Sequence, residues 1–327
     1  MASVTIGDNS YCFCPHGFDS LFSGMRTIFG LNLFVGLGAM LLAIALLVLD
    51  VPFMKTWFYV CAWWPLIIIL DSLNFRLSGS SPLSDSPRNF VFMAFISIPV
   101  WLIFELFNLR LQNWSYHNLP TELPLRWLGY CLAFASVIPA LLELSRLFQI
   151  AFKGKAISFV RLKTTPGFLN GCIILGFSLL VLSVLFPNLF FPLVWLGFIF
   201  LLEPVNYRLK IDSFLADAER HYGNRIISWL LAGFAAGVLW ESLNYWAGSH
   251  WEYSIPYLNF CKIFQMPVFG YGGFLPFALE VFALYTLLDL IRKKTIGRRI
   301  IRMVLVAFIL VFNALAFHLM DTYTLIQ

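Results

Sequence analysis

Residues 173–202 read IILGFSLLVLSVLFPNLFFPLVWLGFIFLL and contain no charged side chain. A helix needs about 20 apolar residues to cross the hydrocarbon core of a bilayer. The stretch is interrupted at Pro187-Asn188, and a proline removes a backbone hydrogen bond and ends or kinks a helix. We therefore predict two membrane helices, 168–187 and 189–209, that form a hairpin around this tight turn.

The composition of the whole chain agrees with a membrane protein. Of its 327 residues, 60% are hydrophobic and only 12% are charged, whereas a soluble domain carries about 25% charged residues. We predict an all-α integral membrane protein of about nine transmembrane helices and no sizeable soluble domain. Besides the hairpin, the predicted spans are 27–49, 55–77, 89–109, 129–150, 225–247, 268–290 and 300–320.

The distribution of basic residues predicts the orientation of these helices. With nine spans, the side of the membrane that holds the N-terminus carries 18 of the 22 lysines and arginines. Cytoplasmic loops carry an excess of these residues, so we expect residues 1–26 to be a cytoplasmic segment and the C-terminus to lie outside. We expect the protein to reside in the cell (inner) membrane. The same loops account for a pI near 8.9. We expect membrane lipids as partners and no nucleic acid.

An internal repeat is visible in the sequence. WLIFELFN at 101–108, followed by Trp114-Ser-Tyr116, recurs as VLWESLN at 238–244, followed by Trp251-Glu-Tyr253. The pattern predicts a first four-helix repeat over 27–150, a second over 168–290, and an added helix over 300–320. Repeats of an even number of helices insert in the same orientation, and binding sites form at the interface between such repeats.

Four acids inside apolar runs are followed three residues later by asparagine, a spacing that puts both side chains on one helical face. Each buried carboxylate costs about 2.5–3.5 kcal/mol or more, unless it faces a polar cavity, finds a partner or stays protonated. Either the acids surround a functional chamber, or they hold helices together with asparagines and with Arg76 and Arg208. The pairs are Asp71/Asn74, Glu105/Asn108, Glu203/Asn206 and Glu241/Asn244.

If the acids surround a functional chamber, some of them are candidate catalytic residues. Glu241, Glu280 and Glu105 are the candidate acids, and we expect Asn244 to orient Glu241 by a hydrogen bond. The aromatic residues after the acidic spans either line a site through their π faces or form an interfacial belt. The candidate substrate-binding residues are Trp240, Tyr245, Trp251, Tyr253 and Glu143.

Two smaller motifs are weaker indications of function. Cys12-Phe-Cys14-Pro-His16 has no second ligand pair, so we predict no metal site and no cofactor. Gly233-Phe-Ala-Ala-Gly237 is a small-xxx-small motif, which is typical of close helix packing in membranes.

The second half also resembles the integral-membrane lycopene cyclase domains of carotenoid synthesis. The resemblance rests on Trp251-Glu-Tyr253, then Met266-Pro267-Val268, then Pro276-Phe-Ala-Leu-Glu280. It implies an acid-initiated cyclisation or hydration of a polyene, with Glu280 in the place of the acid that follows the family's proline.

Three functions remain open from the sequence. The first is an enzyme that acts on an apolar lipid or isoprenoid by acid catalysis from the carboxylates. The second is a transporter or channel that uses the same carboxylates as proton or cation sites, and the third is a non-catalytic membrane scaffold. Few polar residues other than the acids and asparagines occur in the spans, which favours a chamber for an apolar small molecule over a path for a hydrophilic solute.

Overall fold

The computed structural model describes residues 19–326, with side chains from residue 31 onward. Cys12, Cys14 and His16 lie outside the described residues. The helices are α1 (Asp19–Val48), α2 (Pro52–Ser78), α3 (Pro82–Asp85), α4 (Pro87–Leu111), α5 (Leu123–Phe134), α6 (Val137–Ala151), α7 (Pro166–Leu185), α8 (Pro187–Phe190), α9 (Val194–Arg208), α10 (Phe214–Glu219), α11 (Asn224–Trp246), α12 (Tyr271–Lys294) and α13 (Arg299–Tyr323). The strands are β1 (Trp114–His117), β2 (His250–Tyr253), β3 (Lys262–Ile263), β4 (Met266–Pro267) and β5 (Leu325–Ile326).

Nine helical stretches within residues 19–326 are long and apolar enough to span a membrane, which confirms the predicted all-α membrane fold. Their outward faces are apolar: Phe34 is 73% exposed and Phe308 is 68% exposed. Large apolar side chains that cover an outer surface in this way require lipid as solvent. The acids and asparagines of the four acid–asparagine pairs, together with Glu143 and Glu280, are buried instead.

The fourth span departs most from its prediction. It begins at Leu123, earlier than the predicted residue 129, because the charge of Arg126 is matched inside the protein by Asp321 of α13 at 2.9 Å. It is also divided into α5 and α6. Pro139 cannot bond the carbonyl four residues back, and the Ser97 hydroxyl bridges the break by donating to the carbonyl of Phe134 and accepting from the N–H of Ile138.

The centre of the bundle consists of α4, α6, α11 and α12, with the hairpins α1–α2 and α7–α9 packed outside it. The predicted close packing at Gly233 and Gly237 is confirmed. A Cβ atom at Gly233 would collide with the backbone oxygen of Phe274, and one at Gly237 with the Phe274 ring. These glycines let α11 and α12 approach closely.

The bundle has two different ends. At the strand end, β1 pairs antiparallel with β2 and parallel with β5, so the three form a small sheet. At the basic end lie the connections 79–86, 152–165, 209–223 and 295–298, together with the short helices α3 and α10. The acid–asparagine pairs of the spans therefore lie toward two opposite ends of one helical bundle.

Two of the buried acids bind the backbone of these short connections. The Asp71 carboxylate accepts from the N–H of Leu83 at 2.9 Å. The Glu203 carboxylate accepts from the N–H of Leu215 at 3.1 Å and from the Ser213 hydroxyl. These contacts favour the structural alternative for both acids, although the partners are backbone N–H groups of short helices and the Ser213 hydroxyl rather than Arg76 or Arg208. The Arg208 guanidinium donates to Asn170.

Candidate functional site: an aromatic cavity backed by two carboxyls

The first buried acid of the strand end is Glu105 of α4. Its Oε1 accepts hydrogen bonds from the Trp101 indole at 2.8 Å and the Tyr116 hydroxyl at 2.5 Å, and the Trp114 indole lies 3.1 and 3.2 Å from Oε1 and Oε2. Trp114 and Tyr116 point to the same face of β1, because side chains alternate along a strand. Both oxygens of Glu105 therefore have donors.

The acid of the matching sequence motif in the second half is Glu241 of α11. Its Oε1 accepts from the Tyr253 hydroxyl at 2.8 Å and from the Trp251 indole at 3.4 Å. The Trp251 indole also donates to the Tyr253 oxygen at 2.9 Å. Oε2 of Glu241 is buried and has no hydrogen-bond partner among the described residues. Glu241 thus differs from Glu105 in keeping one oxygen free.

The asparagines of the two motifs hold the strands rather than the acids. Asn108 accepts from the N–H of Trp114 and donates to its carbonyl, and Asn244 does the same for Trp251. The expectation that Asn244 orients Glu241 directly is wrong. An amide that carries both a donor and an acceptor fits both polar groups of one peptide backbone, so Asn244 positions the indole and the phenol that reach Glu241.

The sheet brings the two acidic clusters together. In the antiparallel register, Trp114 pairs with Tyr253 and Tyr116 pairs with Trp251. Behind the strands, the rings of Trp101 and Trp240 lie with their centroids 5.0 Å apart. The two halves of the chain therefore meet through the aromatic partners of their own acids.

A cavity of about 390 Å³ lies at this junction. Its lining comes from both halves, over residues 56–134 and 191–277, and is mostly apolar. Six of the 11 tryptophans of the chain line it. The aromatic lining residues are Trp57, Tyr59, Trp101, Trp114, Tyr116, Tyr130, Phe134, Phe191, Trp195, Trp240, Trp251, Tyr253, Phe269, Phe274 and Phe277.

The charged group of the lining is neutralised by the last span. Arg126 lines the cavity, and its guanidinium donates to both oxygens of Asp321. Asp321 also accepts from the Trp127 indole and the Tyr130 hydroxyl. Because the positive charge of Arg126 is paired with the negative charge of Asp321, this cluster adds little net charge to the cavity.

The two phenols that contact the acids keep their protons. Burial, and secondly the carboxyl of Glu241, raise the pKa of Tyr253 well above its usual value. Burial and the carboxyl of Glu105 raise the pKa of Tyr116 in the same way. Both hydroxyls are therefore neutral groups that line the cavity and bond a carboxyl behind it.

Some of the predicted site residues come together here. Trp240, Trp251 and Tyr253 line the cavity, and Glu241 and Glu105 lie directly behind that lining. Tyr245 does not line the cavity. It is 49% exposed and packs against Trp246 and Phe264.

The other two predicted acids lie elsewhere. Oε1 of Glu280 accepts from the N–H of Phe198 at 2.9 Å and so joins α12 to α9. Oε2 of Glu143 accepts from the side-chain amide of Asn74 at 2.7 Å and joins α6 to α2. Neither lines the cavity. Their hydrogen-bond partners, the Phe198 backbone and Asn74, are not those of the Glu241 and Glu105 clusters.

Several lining residues were not predicted from the sequence. Trp195 stands in an apolar run with no polar neighbour to distinguish it, and Trp57 follows Lys55 and Thr56 at the start of a span. Asp321 could have been recognised from the sequence, because an acid in an apolar span needs a partner. That partner, Arg126, lies nearly 200 residues earlier in the chain. Among residues 31–326, no group of three histidine, cysteine or acidic side chains is arranged to hold a metal ion.

No protein-family model, curated protein or solved structure matches this chain.

Proposed function

We propose that the protein is a membrane enzyme that binds an apolar lipid, of the isoprenoid class, in the aromatic cavity and transfers a proton to it from Glu241. The observation that carries the proposal is the aromatic cavity between the two halves, with a lining hydroxyl, Tyr253, bonded to a buried carboxyl. A largely apolar lining favours an apolar ligand over a hydrophilic one.

The proposed reaction starts with proton donation. Glu241 in its acid form passes its proton to the Tyr253 oxygen as the Tyr253 hydroxyl gives its own proton to a carbon–carbon double bond of the ligand. The carbocation is stabilised by the π faces of Trp101 and Trp240. Loss of a proton from a neighbouring carbon back through Tyr253 to Glu241 completes an isomerisation or cyclisation, so no co-reactant is needed.

Glu241 suits this role better than the other acids. Glu105 has donors on both oxygens, so it acts as an acceptor that fixes Trp101, Trp114 and Tyr116. The resemblance to lycopene cyclase domains implies Glu280 as the acid, but Glu280 bonds the backbone N–H of Phe198 and not a hydroxyl that lines the cavity. We therefore assign proton donation to Glu241 and retain from the resemblance only the class of substrate.

The predicted duplication and orientation are part of the same proposal. The matching contacts of Asp71 with Leu83 and of Glu203 with Leu215 support two equivalent units, and a cavity lined by both is the site expected for such repeats. From the 18 basic residues on one side, we infer that the basic end faces the cytoplasm and the strand end the outside.

Occupation of the cavity is testable by fluorescence. We expect retinol, a conjugated isoprenoid, to quench the tryptophan emission of the purified protein saturably, since six tryptophans line the cavity. Gly272 lines the cavity and has open space at its Cβ position, so Gly272→Phe should fill part of the cavity and weaken quenching about tenfold or more.

The matched control is Gly171→Phe. Gly171 also has open space at its Cβ position but lies on α7, away from the cavity, so this variant should bind retinol as the parent does. Equal weakening by both substitutions, or quenching that does not saturate, would show that retinol partitions on the outer surface and would overturn the assigned site.

A further inference from the structure

A second pocket lies at the opposite, basic end of the bundle. Its volume is about 470 Å³, and it is lined where α6 ends, along the loop 152–155, and where α11 begins. The polar side chains of this basic pocket are Arg146, Gln149, Lys153, Lys155, Tyr222 and Asn224. No acidic side chain lines it.

Among the described residues, the cations of the basic pocket are not hydrogen-bonded to acidic side chains. None of Arg146, Lys153 and Lys155 forms an ion pair within the part of the chain that the structure describes. The Nη2 atom of Arg146 donates to the Ser80 hydroxyl, but its Nε is buried with no partner among the same residues. A buried donor on a charged group is costly to leave unpaired, which points to a ligand that accepts from it.

The loop that carries the lysines is held in place. The amide of Asn224 donates to the carbonyls of Phe152 and Lys155, at 3.3 and 2.7 Å, and accepts from the N–H of Ile157 at 2.9 Å. Gly154 turns the chain with a φ of +79°. The two lysines therefore flank a fixed turn, and Asn224 belongs to the first turn of α11, whose N-terminal dipole favours an anion.

We propose that the basic pocket binds a phosphate group, carried by an anionic lipid headgroup or by a free phosphate ligand. The arginine supplies a directional donor suited to phosphate oxygens, and the lysines supply charge. The pocket lies at the other end of the bundle from the aromatic cavity, so the two sites take separate ligands.

The test compares two double substitutions that remove equal charge from one connection. Lys153→Gln/Lys155→Gln alters the basic pocket, whereas Arg161→Gln/Lys163→Gln removes two exposed cations of the same connection that do not line it. One arm measures phosphatidic acid against phosphatidylcholine on the purified protein by native mass spectrometry. The other arm measures inorganic pyrophosphate by titration calorimetry.

We expect one of the two phosphate probes to bind, and the pocket variant to bind it about 30-fold more weakly, since each lysine near an anionic phosphate contributes about a fivefold factor. The control variant should bind as the parent does. Binding of phosphatidic acid alone assigns a lipid headgroup, and binding of pyrophosphate assigns a soluble ligand. Equal loss in both variants, or no binding of either probe, overturns the proposal.

Discussion

Replacing Glu105 with leucine is expected to cause a large loss of stability at the strand end. It leaves the indoles of Trp101 and Trp114 and the hydroxyl of Tyr116 without their common acceptor. A buried donor without a partner costs about 1–3 kcal/mol, so three of them cost on the order of 3–9 kcal/mol. In a protein of this size that lowers Tm by on the order of 10 °C, measurable by scanning fluorimetry in detergent.

Two controls separate this effect from the loss of a side chain in general. Glu105→Gln retains one acceptor oxygen and should lose clearly less. Glu241→Leu should also lose less than Glu105→Leu, because Glu241 receives only two donors, one of them at 3.4 Å. If Glu105→Leu were as stable as the parent, the aromatic donors would not depend on this carboxyl and the account of the cluster would be wrong.

Glu241→Gln is expected to abolish the proposed chemistry while the fold and the cavity remain. Glutamine keeps an oxygen that can accept from Tyr253 but has no acidic proton to pass on, and general acid catalysis contributes about 10²–10⁴-fold to a rate. The readout is the lipid extract of cells that produce the protein, analysed by mass spectrometry. Lipid species that appear with the parent protein should disappear with Glu241→Gln, whereas retinol quenching should persist.

The matched control is Glu252→Gln, which makes the same chemical change on the opposite face of β2, where Glu252 is exposed and contacts His250. It should leave the lipid species unchanged. If the parent protein changes no lipid, or if Glu241→Gln removes a proton-coupled flux while the lipids stay the same, the enzyme proposal fails and a transporter is the better description.

The helical fold could be predicted because it depends on local composition. Each span is an apolar run bounded by charges or prolines, so the predicted ends lie within a few residues of helices such as α9 and α13. At α5 the predicted start is six residues too late, because the charge of Arg126 forms a boundary of the apolar run. Its partner, Asp321, is distant in sequence and is brought near only by packing.

The candidate site could be predicted in part for the same reason. Glu241, Trp251 and Tyr253 are close in sequence, and one helix end and one strand bring them together. Glu280 is predicted to join them because no basic residue lies near it in sequence, but its partner is the backbone of Phe198, and no side-chain motif marks a backbone donor. The pairing of β1 with β5 joins residues about 200 positions apart, which local patterns do not encode.

The central claim is that an apolar ligand occupies the aromatic cavity beside the Glu241–Tyr253 pair. The most direct measurement is a cryo-electron microscopy map of the protein in lipid nanodiscs prepared with retinol. The account predicts elongated density inside the cavity, against the rings of Trp101 and Trp240, that reaches the Tyr253 hydroxyl. A map in which side chains close the cavity, with retinol density only along the outer helices, would contradict it.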